Sequence, residues 1–334
     1  MFTPVFGLSA QQTVQVLSAA GRAPSLHNSQ PWAFRLTSDR IELHLDPARR
    51  LPASDPDGRE ARLACGAALF NLRLALARHG VRATSDVVAE PGDGPLAVVE
   101  LGGDFALSPE RAELERAIVH RRTNRRPFFD EDVPPGHRLT LARAAEIEGA
   151  TLWTVSEPLI LDRLAGLAES ADRAQHADPA WLREWAAWTG GSGGDDRDPV
   201  ITAGPGPVPD DPWARRDFGR PAGRPAGPQP LVAVLATPDD QPRSQVLAGQ
   251  AMERVLLTAT GLGLAASFVS RLVEVPSVRA QVAALIGGAL YPQTVLRIGF
   301  GGPVPGTTRR AVEECLWSQP CEHDREAAIL RQVR

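Results

Sequence analysis

The feature that most constrains this chain is a self-match. Setting Gly66 against Gly249 brings Ala68 onto Ala251, Leu69 onto Met252, Leu74 onto Leu257, Gly80 onto Gly263 and Ala83 onto Ala266 without a gap. The strand-like runs that follow, "LAVVELGG" and "TVLRIGFGG", also correspond. Apolar helices resemble one another by chance, but glycines matching at both places and a matching strand favour a true internal duplication. The 334 residues are then one unit built twice, enough chain for a sizeable core.

Local signals fill in the first copy. Ser9 and Gln12 form a capping box before Ala10, Val14, Leu17 and Ala20 at helical spacing, and Gly21 ends that helix. "WAFRLT" and "IELHLD" alternate about Ser38-Asp39-Arg40 as a β-hairpin. A long helix from about Arg59 to His79 carries Leu63, Ala67, Phe70, Leu74 and Ala77 on one face. A second cycle opens with the N-cap and N1 pair Ser108-Pro109.

The copies differ in one place. From Trp32 to Gly66 is 34 residues, whereas from Trp153 to Gly249 is 96, so the second copy carries an insertion at about 170–229. It holds the helical "DPAWLREWAAW" and then a Gly/Pro-rich passage without periodicity. A disordered linker is one reading of it. Trp181, Trp185, Trp188, Trp213 and Phe218 favour a partly ordered lid, since an idle linker has no use for so many aromatics.

Two segments concentrate polar chemistry. "RAPSLHNSQPW" lies between a helix and a strand, with more hydrogen-bonding groups than a turn requires. "HRRTNRRPF" places Arg121, Arg122, Arg125 and Arg126 within six residues. Guanidiniums that close repel, so they need an anion, acidic side chains or water between them. A solvated basic turn would satisfy that; Thr123 in their midst, a hydroxyl between forked cations, suits a phosphate monoester instead.

With these segments the sequence resembles the FMN-dependent nitroreductases, and within them the Acg-type actinobacterial proteins. "RRTNR" is similar to that superfamily's phosphate-binding Arg-x-Ser/Thr-x-Lys/Arg segment, and "PSLHNSQPW" to the Pro-Ser-Ser-x-Asn-x-Gln-Pro-Trp segment given by the other subunit of its homodimer. The resemblance runs on through "AGQAMERVLLTATGLGLAAS" and "YPQTVLRIGFG". It implies an α+β nitroreductase-like fold in which two tandem half-domains, 1–107 and 108–334, form an intrachain pseudo-dimer with a lid inserted in the second. Half one has the Asn-Gln-Pro-Trp segment without the arginines, and half two has the arginines without that segment, so one FMN per chain is expected.

Carried over residue by residue, the resemblance gives Arg121, Arg122 and Thr123 to the phosphate or ribityl chain. Arg125 stands where a cation stabilises the reduced flavin near N1 and O2. Pro24, Ser25, Leu26 and Asn28 would reach across from half one; Gln30 serves there or bonds its own loop. Phe268, Val269 and Ser270 are the candidates for the loop facing flavin N5. Arg309 and Arg310 match a second cation at the phosphate, or belong to a solvated tail. Leu26 replaces the family's second serine, which removes one flavin contact or shifts it to backbone.

Three functions share this cofactor. The first is hydride transfer at N5 from NAD(P)H or a small organic molecule. The others are flavin storage under a closed lid, and an FMN-dependent dehydrogenase tailoring a specialised metabolite. Fold and cofactor do not choose among them. A net charge of -4 speaks against a nucleic-acid platform. No G-x-G-x-x-G follows a strand, no G-x-S-x-G is present, and the seven histidines lie without metal-ligand spacing. Cys65, Cys315 and Cys321 suit idle thiols in a reducing cytoplasm. "MFTPVFGLSAQQ" lacks a targeting pattern and no stretch approaches a membrane span. The expectation is therefore a cytoplasmic protein with a small-molecule substrate, a monomer or a weak homodimer, without nucleic acid, membrane or metal.

Overall fold

A computed structural model of the chain describes residues 4–89, 94–189 and 230–317. Half one runs α1 (Ala10–Ala20), β1 (Trp32–Leu36), β2 (Arg40–Leu45), α2 (Arg59–Arg78), β3 (Ala83–Val87) and β4 (Ala97–Leu101). Half two runs α3 (Pro109–Ile118), α4 (Pro135–Ile147), β5 (Thr151–Val155), α5 (Pro158–His176), α6 (Pro179–Thr189), β6 (Leu231–Thr237), α7 (Pro242–Gly261), β7 (Ala265–Phe268), α8 (Arg271–Glu274), α9 (Pro276–Leu285) and β8 (Tyr291–Gly299). Each half builds one antiparallel four-stranded sheet, ordered β1-β2-β4-β3 and β5-β6-β8-β7. The same strand order twice makes this an α+β chain of two half-domains.

The duplicated helices α2 and α7 pack on each other at the centre, and the aligned glycines are their crossing point. A Cβ on Gly66 would stand 2.0 Å from the carbonyl oxygen of Val246, and a Cβ on Gly249 2.0 Å from that of Leu63. Each glycine thus lies against the carbonyl three residues before its counterpart, as an isologous contact requires. One turn away Arg62 Nε donates to Gln245 Oε1 at 2.6 Å, again a residue against its own equivalent. The single apolar face expected for α2 understates its burial. Nearly the whole helix is buried, Asn71 included, because α7 covers the side that α1 and the first sheet leave open. One apolar core runs through both halves, from Leu17, Trp32 and Leu69 to Met252 and Leu296.

Outside this symmetry lie three additions: the connection between β5 and β6, the helices α8 and α9 between β7 and β8, and a segment after β8. The expected hairpin forms, with β1 and β2 joined by residues 37–39, while β5 and β6 are joined by residues 156–230. In that connection α5 packs its Leu164, Ala168 and Ala171 with α8 and α9 on the outer face of the second sheet. Hence β6, "LVAVLAT", is buried at every position, as a strand covered on both faces must be. The third is a strap, residues 300–317, that returns to half one. Leu316 bridges Phe34, Trp317 N donates to Phe34 O at 2.8 Å, and Trp317 stacks on His44 with centroids 4.5 Å apart. Trp213, Phe218 and Cys321 lie outside the described residues.

The caps at Ser9 and Ser108 form as expected. Among the described residues no helix is long and apolar enough to cross a membrane, and no cluster of His, Cys, Asp or Glu could hold a metal ion.

Candidate functional site between the halves

A cavity opens where the loop after α1, the segment after α3, the end of β7 and the strap converge. Its walls include Arg22, Pro24, Ser25, Leu26, His27 and Asn28 from half one, and Arg121, Arg122, Thr123, Arg125, Phe268, Ser270 and Arg309 from half two. The two sequence segments, about a hundred residues apart, therefore face one space. Gln30, Val269 and Arg310 lie outside that lining.

The first segment holds its shape at a conformational cost. His27, Asn28 and Gln30 have φ of 50, 53 and 51°, a left-handed backbone that costs a non-glycine residue roughly 1–2 kcal/mol. Such strain persists where the surroundings fix it. Ser25 Oγ accepts from Gln30 N at 2.9 Å and closes the loop on itself. Gln30 turns its side chain away from the cavity and accepts from Arg310 N at 2.9 Å. Asn28 donates to Thr308 O and accepts from Arg309 Nη1, both at 3.1 Å. The strap thereby locks the loop.

The second segment leaves α3 and joins the sheet edge: Thr123 bridges Ala266, and Asn124 N donates to Ala266 O at 2.8 Å. Arg121 is buried, donates to Arg22 O at 3.0 Å, and lies 3.6 Å from the fully buried Glu253 carboxylate. Asn71 donates to that carboxylate at 3.0 Å. Burial raises the Glu253 carboxyl against the pull of Arg121. Arg309, expected from the resemblance as a second cation, comes in from the strap beside Arg121. Burial first, then the Arg121 guanidinium, lowers Arg309 to about 9, with Arg22 and Arg122 adding to it. The Nε atoms of Arg121 and Arg309 are both buried without a hydrogen-bond acceptor. Four guanidiniums thus crowd one end of the cavity.

Arg310 points the other way, to Asp46 Oδ2 at 3.2 Å and Gln30 O at 3.0 Å, and ties the strap to the first sheet. Val269 is fully buried in the outer core of half two, and its N–H donates to Val295 O at 2.8 Å. That leaves Phe268 and Ser270, either side of it, facing the cavity.

The insertion reaches the same space through α6. Trp185 on α6 lines the cavity, meets His27 edge-on at 4.9 Å and stacks on Trp181 at 5.3 Å. Glu184 fastens it, accepting from Ala53 N at 2.9 Å and Ser54 N at 2.8 Å, while Ser54 Oγ lies 3.2 Å from His27 Nε2.

Several lining residues escaped the sequence reading. Arg22 adjoins "PSLHN" and could have been included with it. Arg297 is an arginine inside the apolar strand "TVLRIGF", a signal in itself, and is buried with its guanidinium 5.1 Å from the Phe128 ring. Glu60 gave no warning, because an acid in the first turn of a helix ordinarily serves the helix dipole in solvent. Here burial raises its carboxyl to about 7, with Arg59 opposing and Asp55 and Glu274 adding to the rise.

No family model matches the chain. Among curated proteins, Rv3131 of Mycobacterium tuberculosis, provisionally named an NAD(P)H nitroreductase, is 35% identical over 320 residues, covering 92% of this chain and 91% of its own. Acg of the same organism, named likewise, is 32% identical over 327 residues, covering 91% and 95%. Among solved structures, a nitroreductase with bound FMN from Desulfitobacterium hafniense aligns over 62% of this chain and 98% of its own, at 11% identity and a TM-score of 0.40. Identity at this level along nearly the full length of both chains means that this chain belongs to the NAD(P)H nitroreductase family, together with Acg.

Proposed function

We propose that the chain is an FMN-dependent oxidoreductase that holds one flavin in the cavity between its halves. The observation that carries this reading is the cationic end. Arg22, Arg121, Arg122 and Arg309 converge there, with Glu253 the one carboxylate paired among them in the described residues. A phosphate monoester, near -2 at neutral pH, supplies the charge the cluster lacks and acceptors suited to forked guanidinium donors. Leu26, Leu63, Ala64, Met252 and Phe268 offer apolar walls to a flat ring. The residues present therefore fit the group.

Arg121, Arg122, Thr123 and Arg309 would hold the phosphate and ribityl chain, and Arg125 the pyrimidine side. Ser25 and Asn28 border it from half one; Phe268 and Ser270 border it from half two. Bound there, FMN supplies hydride acceptance and release at N5, between NAD(P)H or a small organic molecule and an acceptor. Both walls come from one chain, so a monomer suffices.

FMN loading followed by removal of free cofactor should leave one flavin per chain; two would overturn the single-site reading. Anaerobic addition of NADPH or NADH should then bleach the oxidised band. Persistence of the band, with dithionite bleaching it, would instead favour a shielded, stored flavin, the reading to which the docked Trp185 lends support.

The same titration measures the latch. Glu184→Ala removes two hydrogen bonds to a charged acceptor, each worth about 1.5–3 kcal/mol. Bleaching by NADPH should quicken roughly tenfold or more, and tryptophan quenching by iodide should rise. Unchanged bleaching and quenching would mean that this contact does not hold the lid.

A further inference from the structure

Among the described residues lining the cavity Glu60 is the one carboxylate, and nothing above gives it a task. It opens α2 in half one and is buried against half two. One oxygen accepts from Arg59 Nη2 at 2.5 Å. Arg59 is in turn fixed by Gln293 O and Val273 O, both from half two, the latter at 3.2 Å. The other oxygen makes no hydrogen bond among the described residues and is not sealed off, so it faces the cavity. The charged groups that act on it are Arg59 on its own helix, Asp55 from the preceding loop and Glu274 on α8, and Arg271 and Arg297 line the same cavity. Asp55 is held by the backbone N–H groups of Glu60 and Ala61 at 3.0 and 2.9 Å, which fixes the helix start and with it the carboxyl.

We propose that Glu60 is the acid that protonates a small electron-poor acceptor, such as a quinone or a nitroarene, as that acceptor is reduced in this cavity. This rests on the flavin reading above. The acceptor gains a hydride and is left with negative charge on oxygen. The Glu60 O–H bond breaks, its electron pair stays on the carboxylate, and a new O–H bond forms on the acceptor. Water then returns a proton to Glu60. Each turnover uses one NAD(P)H and one proton; a quinone leaves as the hydroquinone with two more hydrogens, and a nitroarene leaves as the nitroso compound with one water released. A carboxyl is suited to this only if it is protonated near neutral pH. Burial gives Glu60 that property, raising it to about 7. A purely structural clamp on Arg59 would need no such opening onto the cavity.

The test uses FMN-loaded protein reduced with stoichiometric dithionite, so that nicotinamide access plays no part, and mixed with menadione between acid and alkaline pH. In the parent, reoxidation should slow as pH rises through about 7, the value to which Glu60 is raised. Glu60→Gln keeps the shape and an acceptor for Arg59; it should reoxidise about a hundredfold more slowly and lose that pH dependence. Glu60→Asp, which keeps an acid, should retain the dependence. Infrared titration of the protein without FMN gives a separate readout: in the difference between parent and Glu60→Gln, which cancels the other raised carboxyls Asp55 and Glu253, a protonated-carboxyl band should appear below about pH 7. Equal rates and profiles in parent and Glu60→Gln, or a band that vanishes by the ordinary carboxyl range, would overturn the proposal. Failure to retain FMN at all would instead sink the flavin reading, and the infrared band would still report on Glu60.

Discussion

Alanine at either Gly66 or Gly249 is expected to cost more than about 4 kcal/mol, beyond the usual range for a single substitution. A methyl group 2.0 Å from a backbone carbonyl oxygen cannot be absorbed by a rotamer change, since both partners are helix backbone. The helices must separate, and the core they share opens along their length. Thermal unfolding should move down by roughly 10 °C or more, or soluble protein should be lost. The symmetry adds a condition: both variants should lose similar amounts, because each glycine meets the same carbonyl in the other helix. A loss below about 1 kcal/mol at either position, small for an overpacked core, would mean that the crossing is not where we place it.

The second large effect concerns Arg121. Arg121→Ala strands Glu253 in the core, and an uncompensated buried charge destabilises by about 3–5 kcal/mol. The same change should abolish FMN retention, but a poorly folded protein would also bind nothing. Pairing Arg121→Met with Glu253→Gln separates the two effects. Replacing both members of a buried pair is often close to neutral, so the double variant should unfold near the parent and still lose FMN by at least tenfold in affinity, a charge-assisted bond being worth about 1.5–3 kcal/mol. Isothermal titration with FMN decides it. Parent-like affinity in the folded double variant would mean that this cluster is not the phosphate site.

What the sequence revealed and what it hid divide along a physical line. Local rules reached the helix caps at Ser9 and Ser108, the hairpin and the limits of α2, since each depends on neighbours in the chain. The duplication reached further and marked Gly66 and Gly249, although as a repeat and not as a contact. The family resemblance brought together Arg121, Thr123, Ser25 and Asn28, which do face one cavity. The division of labour between Arg309 and Arg310 was not readable, because adjacent residues of an extended strap point to opposite sides. Nor was the outward turn of Gln30, set by a left-handed backbone that no local rule assigns to glutamine. Glu60 was hidden for the opposite reason: its position has an ordinary local explanation, and its burial comes from a half of the protein that begins well after it.

The strap and the shared core have a consequence for synthesis on the ribosome. Half one is complete in its strands at Leu101, yet α2 waits for α7 and β1 waits for Leu316 and Trp317. At roughly 5–20 residues per second, the nascent chain spends on the order of tens of seconds with the α7-facing side of α2 uncovered. The partner of the first half is still being translated on the same message. Holding the emerging first half soluble during that interval is a task for the chaperones that meet it at the exit tunnel.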